Sequence, residues 1–149
     1  MANQNALETL IALAQTASED AAKRLGVALA GVEEAEQRLT MLIGYRDDYA
    51  GKLNDAQMAG ITPMAYRNFV AFIDKLDNAL LGQREVIKHA RFKSEHEKKA
   101  WQEAERKRLS YKTLIDRAAV EALRLENKRD QKAMDEHAAR QAYFKSRKQ

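Results

Sequence analysis

Apolar residues recur along this chain in alternating steps of three and four, in two long runs separated by a single proline. The first run passes from Leu7 through Leu10, Ala14, Ala17, Ala21, Leu25, Ala28, Val32, Ala35, Leu39, Leu42, Arg46, Tyr49 and Leu53 to Ala56. Its one irregularity is a repeated step of four at Ala21 to Leu25. After Gly60-Ile61-Thr62-Pro63 a second run begins at Tyr66 and Phe69. It continues through Ile73, Leu76, Leu80, Gln83, Ile87, Ala90, Ser94, Glu97, Trp101, Ala104, Arg108, Tyr111, Ile115, Ala118 and Ala122 to Leu125. A 3.5-residue repeat held over this many turns is the mark of a coiled coil. A short connection between two such helices makes them antiparallel. The pattern therefore predicts an all-α fold, a long antiparallel two-helix coiled-coil hairpin with the longer arm at the C-terminus.

Local signals place the elements. Asn5 with Glu8 three residues later makes a capping box for the first helix. That helix is predicted over about 5–57, roughly 80 Å at 1.5 Å per residue. The turn follows over about 58–62, with Gly60 as the helix stop, Thr62 as the next cap and Pro63 in the first helical turn. The second helix is predicted over about 63–144, roughly 120 Å, and the whole of 1–149 as one domain. Folding the hairpin at residues 59–60 exhausts the first helix opposite about residue 114. Everything beyond overhangs, binds a partner or frays. The seam weakens between Arg91 and Lys99, where Ser94 and Glu97 hold apolar positions, and Trp101 restores it. The opposing part of the first helix carries the repeated step of four. Together these predict a local shift in the supercoil.

Gly26, Gly31, Gly44 and Gly51 lie inside the first helix. Each costs about 1 kcal/mol relative to alanine. Close approach of a second helix or a partner would compensate; local softness would leave the same trace in sequence.

Composition narrows the function. Charged residues make up 32% and aromatics 7%, and alanine supplies much of the apolar content. Such a chain fills a narrow seam better than a wide core. No cysteine is present, which removes disulfides and thiolate chemistry and suits a reducing compartment. The start, Met1-Ala2-Asn3-Gln4-Asn5, lacks the pattern of a signal peptide. No stretch of about 18 apolar residues suggests membrane insertion. His89, His96 and His137 form no paired ligand spacing, so no metal is expected. No nucleotide-binding glycine motif or nucleophile turn occurs, so no cofactor and no catalytic residue is predicted.

The net charge of +4 is divided unevenly. Residues 1–83 carry seven Lys/Arg against eleven Asp/Glu, and residues 84–149 carry nineteen against eleven. The basic arm either draws a polar partner or is a solvated helix face. Arg106-Lys107-Arg108 and Lys145-Ser146-Arg147-Lys148 open a nucleic-acid alternative. Acids interleaved along the arm, and the lack of an aromatic platform beside the cations, weigh against it.

The hairpin tip carries more. Arg38, Leu42, Tyr45 and Tyr49 form a stripe on the first helix, and Phe72, Leu76, Ala79 and Gln83 form one of equal spacing on the second. The register brings the two side by side. Leu42, Tyr49 and Leu76 also belong to the seam, but Tyr45 and Phe72 fall beside it. A two-helix seam cannot bury both itself and a flanking aromatic stripe, so part of this surface is predicted to be exposed and to bind something. Alternatively, the flanking rings only thicken the seam.

At these residues the chain resembles the FliJ family, small cytosolic components of the bacterial flagellar type III export apparatus. The resemblance runs over nearly the whole length: Ala6-Leu7-Glu8-Thr9-Leu10, Tyr45-Arg46-Asp47-Asp48-Tyr49, Gly60-Ile61, Asn68-Phe69 to Leu76, Trp101, Asp116-Arg117, and Glu126-Asn127 to Glu136. Gln83 is the position of the tip stripe that does not match. The resemblance implies a hairpin similar to the central stalk of rotary ATPases. It further implies binding to the export ATPase hexamer, contact with the cytosolic part of the membrane export gate, and escort of export chaperones. Such a protein would be non-enzymatic, monomeric and cytoplasmic, held peripherally at the cytoplasmic face of the cell membrane at the flagellar base. On that reading the tip stripes meet the gate, and Arg124, Lys128 and Lys132 on the basic arm meet the ATPase ring. A virulence type III secretion stalk is the alternative within the same class.

Overall fold

The computed structural model describes residues 2–148, with side chains from Gln4 onward. Two helices account for it: α1, Ala2–Ala59, and α2, Pro63–Lys148. No strand occurs among the described residues. The chain is all-α, and α1 and α2 pack against each other as an antiparallel hairpin.

The turn forms as its residues dictate. Gly60 has φ of 90°, a conformation that costs glycine little and other residues much. Its N–H donates to the Gln57 carbonyl at 3.3 Å, closing the end of α1. Thr62 Oγ1 accepts from the Ala65 N–H at 3.2 Å, capping α2. Pro63 then sits where a missing N–H is harmless. At the other end, α1 begins by Ala2, so Asn5 is not its cap. Thr9 Oγ1 donates to the Asn5 carbonyl at 2.9 Å, which places Asn5 within the helix. Neither proline nor glycine precedes Asn5 to interrupt the helix. α2 runs on to Lys148, with Lys145, Arg147 and Lys148 in its last turn, where cations suit the helix dipole.

The described residues form two compact units, Thr16–Ala104 and 2–15 together with 105–148. In the first, α1 and α2 run side by side from the turn. Arg24 meets Glu97, Ala35 meets Gln83, Arg46 meets Asp77 and Tyr49 meets Phe69 and Phe72. The inward side of α1 is lined with alanine: Ala21, Ala28 and Ala35 are buried, with Ser18 beside them. Small residues let two helix backbones approach closely. Leu80 and Ile87 are the buried residues of α2. Trp101 falls at the level of Ala21 in this register, a large residue opposite a small one.

The inward positions correct the sequence reading of α1. Ile11 is partly buried while Leu10 is 43% exposed. Ser18 is buried while Ala17 is exposed. With Ile11 and Ser18 in place of Leu10 and Ala17, the alternation of three and four is unbroken from Leu7 to Ala56. The repeated step of four vanishes, and with it the motive for a supercoil shift. On α2 the inward positions from Phe69 to Ile115 keep the same alternation through Ser94 and Glu97. Ser94 Oγ donates to the Arg91 carbonyl at 2.8 Å. Glu97 accepts from Arg24 Nε at 3.4 Å. Polar residues are thus accommodated in the seam without a change of phase.

The glycines also differ from expectation. A Cβ added at Gly26, Gly31, Gly44 or Gly51 would meet nothing within 4 Å. Close approach of α2 does not explain them.

In the second unit, Leu7 of α1 and Ile115, Ala118, Ala119 and Ala122 of α2 line a groove edged by Gln4 and Glu8. From Asp116 to Lys148 every described residue of α2 is exposed. The apolar seam positions Ala118, Ala122 and Leu125 therefore have little cover.

Candidate functional site

The tip stripe is built on adjacent turns of both helices, with Tyr49 at its centre. The Tyr49 ring lies 4.2 Å from Phe72 and 5.7 Å from Phe69, centroid to centroid. Lys52 Nζ stands 5.7 Å from the same ring, within cation–π range. Tyr49 is half-buried, as a seam position demands, and its ring props Phe72 on the flank of the hairpin. Phe72 remains 41% exposed and Tyr45 52% exposed. Leu42 and Leu76 are half-buried, and Ala79 is exposed. Arg38 is exposed and pairs with Glu34 of its own helix, at 3.3 Å. The structure therefore leaves the Tyr45 and Phe72 rings exposed beside the half-buried seam residues Leu42, Tyr49 and Leu76.

Gln83 has a different place. Its Nε2 donates to the Ala35 carbonyl at 2.9 Å, and the contact is part-buried. A backbone carbonyl has two lone pairs, so Ala35 can accept this bond beside its helical one. Gln83 ties the two helices together at the base of the stripe.

Sequence reasoning missed two features here. Val86, seven residues beyond Ala79 on the same flank, is 49% exposed and extends the apolar stripe. The heptad spacing of Phe72, Ala79 and Val86 could have revealed it. Arg46 is the other. It occupies a seam position, yet its Nε reaches Asp77 Oδ1 at 2.7 Å, with Asp47 Oδ1 3.9 Å from its Nη1. The hydrogen bond to Asp77, and then the charge of Asp77, raise the Arg46 pKa further above its ordinary value. This cross-helix pair fixes the two helices one turn from Tyr49.

The predicted ring-binding residues lie on the exposed stretch of α2. Arg124 is held by Glu121 through two hydrogen bonds of 3.1 and 2.7 Å, so much of its charge is spent locally. That partnership lowers the Glu121 pKa below its ordinary value. Lys128 and Lys132 are exposed and have no partner among the described residues.

No group of three or more His, Asp or Glu side chains converges to hold a metal ion among the described residues. No described helix is long and apolar enough to cross a membrane. These features define a coiled-coil hairpin protein whose candidate site is an exposed side-chain stripe, not a cleft. The family model described as the flagellar FliJ protein matches residues 3–147. The chain is 38% identical over 145 residues to the flagellar FliJ protein of Escherichia coli (strain K12), covering 97% of this chain and 99% of that one. The flagellar FliJ protein of Salmonella typhi matches with the same identity and coverage. The chain belongs to the flagellar FliJ family. Membership makes it a component of flagellar protein export.

Proposed function

We propose that this protein is a non-enzymatic coupling factor of the flagellar type III export apparatus. Its tip binds the cytosolic part of the membrane export gate through Tyr45 and Phe72, with Arg38, Leu42, Tyr49, Leu76 and Ala79 around them. The overhanging end of α2, with Arg124, Lys128 and Lys132, and the N-terminal third of the chain engage the export ATPase hexamer, and export chaperones are escorted by the same molecule. It acts as a monomer in the cytoplasm, peripherally associated with the membrane at the flagellar base.

The observation that carries this reading is the pair of exposed rings, Tyr45 at 52% and Phe72 at 41%, beside the half-buried seam residues Leu42, Tyr49 and Leu76. Rings left in water on a rigid support are the kind of anchor that dominates protein interfaces. The nucleic-acid alternative loses support from the basic arm itself. Arg108 is engaged by Glu105 and Arg124 by Glu121, so the cations are interleaved with their own acids. The flagellar relatives favour the flagellar reading over a virulence stalk.

Two assays with purified components test the proposal: binding to the cytosolic domain of the gate, and stimulation of the export ATPase. Replacing Lys128 and Lys132 by glutamate is expected to weaken ATPase stimulation and leave gate binding intact. If the substitution abolishes gate binding and spares stimulation, the assignment of the two regions is reversed. Salt-dependent binding to DNA with no effect on the ATPase would favour the nucleic-acid reading.

A further inference from the structure

The tip has a second flank. Ile43 follows the seam residue Leu42, whereas Tyr45 precedes the seam residue Arg46. On a helix, positions just after and just before the seam fall on opposite sides of it. The same holds on α2, where Arg84 follows Gln83 while Phe72 precedes Ile73. The flank of Ile43 and Arg84 is therefore separate from the aromatic stripe.

Two neighbouring hollows run along it and share Arg84. One is lined by Ile43, Arg46, Asp77, Leu80 and Leu81, and the next by Leu39, Ile87, Lys88 and Arg91. Their floor is apolar: Leu80 and Ile87 are buried, and Leu81 beside them is 60% exposed. The charges above that floor are only partly balanced. Arg46 is matched by Asp77, and Arg91 by Glu36 at 2.7 Å. Arg84 and Lys88 have no partner among the described residues. They stand four residues apart, on one face of α2.

We infer that this flank is a docking surface for a protein partner, an amphipathic helix with acidic residues beside its apolar stripe. The groove follows α2 from Asp77 to Arg91, about 20 Å at 1.5 Å per residue, the length of a helix of about four turns. Apolar side chains of that helix would cover Leu81 and Ile43 and pack on the half-buried Leu39, the helix-in-groove mode of recognition. Two acids at i and i+4 would face Arg84 and Lys88 with the spacing those cations already have. An extended strand finds no free backbone edge here, because every hydrogen-bonding group of a helix interior is engaged along its own axis. A nucleic acid would leave the leucine and isoleucine floor without a match.

The test places a photo-reactive benzoylphenylalanine at Leu81, in flagellated cells that lack their own copy of the protein. Cross-linked peptides are then identified. The expected product joins position 81 to a segment of another protein whose sequence reads as an acidic amphipathic helix. The paired change Arg84→Glu, Lys88→Glu is expected to lower its yield at least tenfold. Lys98→Glu with Lys99→Glu, elsewhere on α2, is expected to leave it unchanged. If the reversed pair does not fold, Arg84→Gln with Lys88→Gln provides the same comparison. No product at position 81 would overturn the proposal. So would a product with a second copy of this chain, a lipid or a nucleic acid, or a yield indifferent to Arg84 and Lys88. Position 72, labelled in parallel, reports the gate contact separately.

Discussion

Gln83 of α2 donates its side-chain amide to the backbone carbonyl of Ala35 on α1, at 2.9 Å across the hairpin. The bond exists because Ala35 is small: its buried methyl leaves the helix backbone within reach of a facing side chain. Removing Gln83 does not orphan Ala35, whose carbonyl remains the acceptor of its own helical turn. Gln83→Ala is therefore expected to cost about 1 kcal/mol, the net value of one hydrogen bond, read from urea unfolding. Gate binding is expected to fall by much less than tenfold, since Gln83 acts within the hairpin. A large loss of gate affinity at unchanged stability would return Gln83 to the binding surface.

The helical glycines offer a test of opposite sign. Gly44 and Gly51 have open space where a Cβ would stand, and both are exposed. Alanine at either position is expected to stabilise the protein by about 1 kcal/mol. They lie two turns apart, so the effects should nearly add. Gly60→Ala goes the other way, because its φ of 90° suits only glycine. Urea unfolding of the three variants checks the set. Destabilisation by Gly44→Ala would mean that the helix needs a flexible point there.

The hairpin was legible in the sequence because its punctuation is unambiguous. Gly60, Thr62 and Pro63 each perform the backbone task that their chemistry suggests, and the seam of α2 from Phe69 to Ile115 keeps one phase. The phase of α1 was misread where alanine dominates. Leu10 beside Ile11 gives two apolar candidates, and Ala17 is more apolar than Ser18, so hydrophobicity alone chose the outward residue twice. Ser18 is buried because the phase set by Ala14, Ala21 and Ala28 falls on it, and its side chain is small enough for the seam. Among the described residues no buried side-chain polar atom is left without a partner. The aromatic stripe was visible as spacing, but the tether at Gln83 was not, since a reach to a backbone carbonyl has no sequence pattern. Nor did spacing show that Asp77 would balance Arg46 while Arg84 has no partner among the described residues.

The Glu121–Arg124 pair predicts a small pH effect in the exposed part of α2. The hydrogen bond to Arg124 lowers the Glu121 pKa in the folded chain. A depressed carboxylate stabilises the folded state above its unfolded value. That contribution is lost as the pH falls through the folded value. Helicity around residue 121 is thus expected to decline on acidification below the ordinary carboxylate range. NMR titration of Glu121 should show a midpoint below that of the Arg124→Gln variant. Equal midpoints in the two proteins would show that the pair does not form in solution.

Order along α2 is expected to divide near residue 115. Inward positions of the hairpin are covered up to Ile115, and from Asp116 onward every described side chain is exposed. Helices gain most of their stability from packing. Amide exchange in the free protein is therefore expected to be fast over residues 120–148 and slow over 70–100. Addition of the export ATPase should slow exchange in the first segment. Equal protection of both segments in the free protein would show that the exposed stretch is already covered, by a second copy for instance.

The aromatic stripe as gate contact is tested most directly by Tyr45→Ala, with affinity for the cytosolic domain of the gate measured by calorimetry. Phe72→Ala is a weaker probe, because the Phe72 ring rests 4.2 Å from that of Tyr49 and its loss also loosens the hairpin. Tyr45 makes no such ring contact among the described residues and is 52% exposed. Its truncation is expected to weaken gate binding at least tenfold, about 1.4 kcal/mol. Stability should stay within about 0.5 kcal/mol of the parent, as for other surface substitutions. Unchanged affinity with an intact fold would contradict the account and place the gate contact elsewhere on the protein.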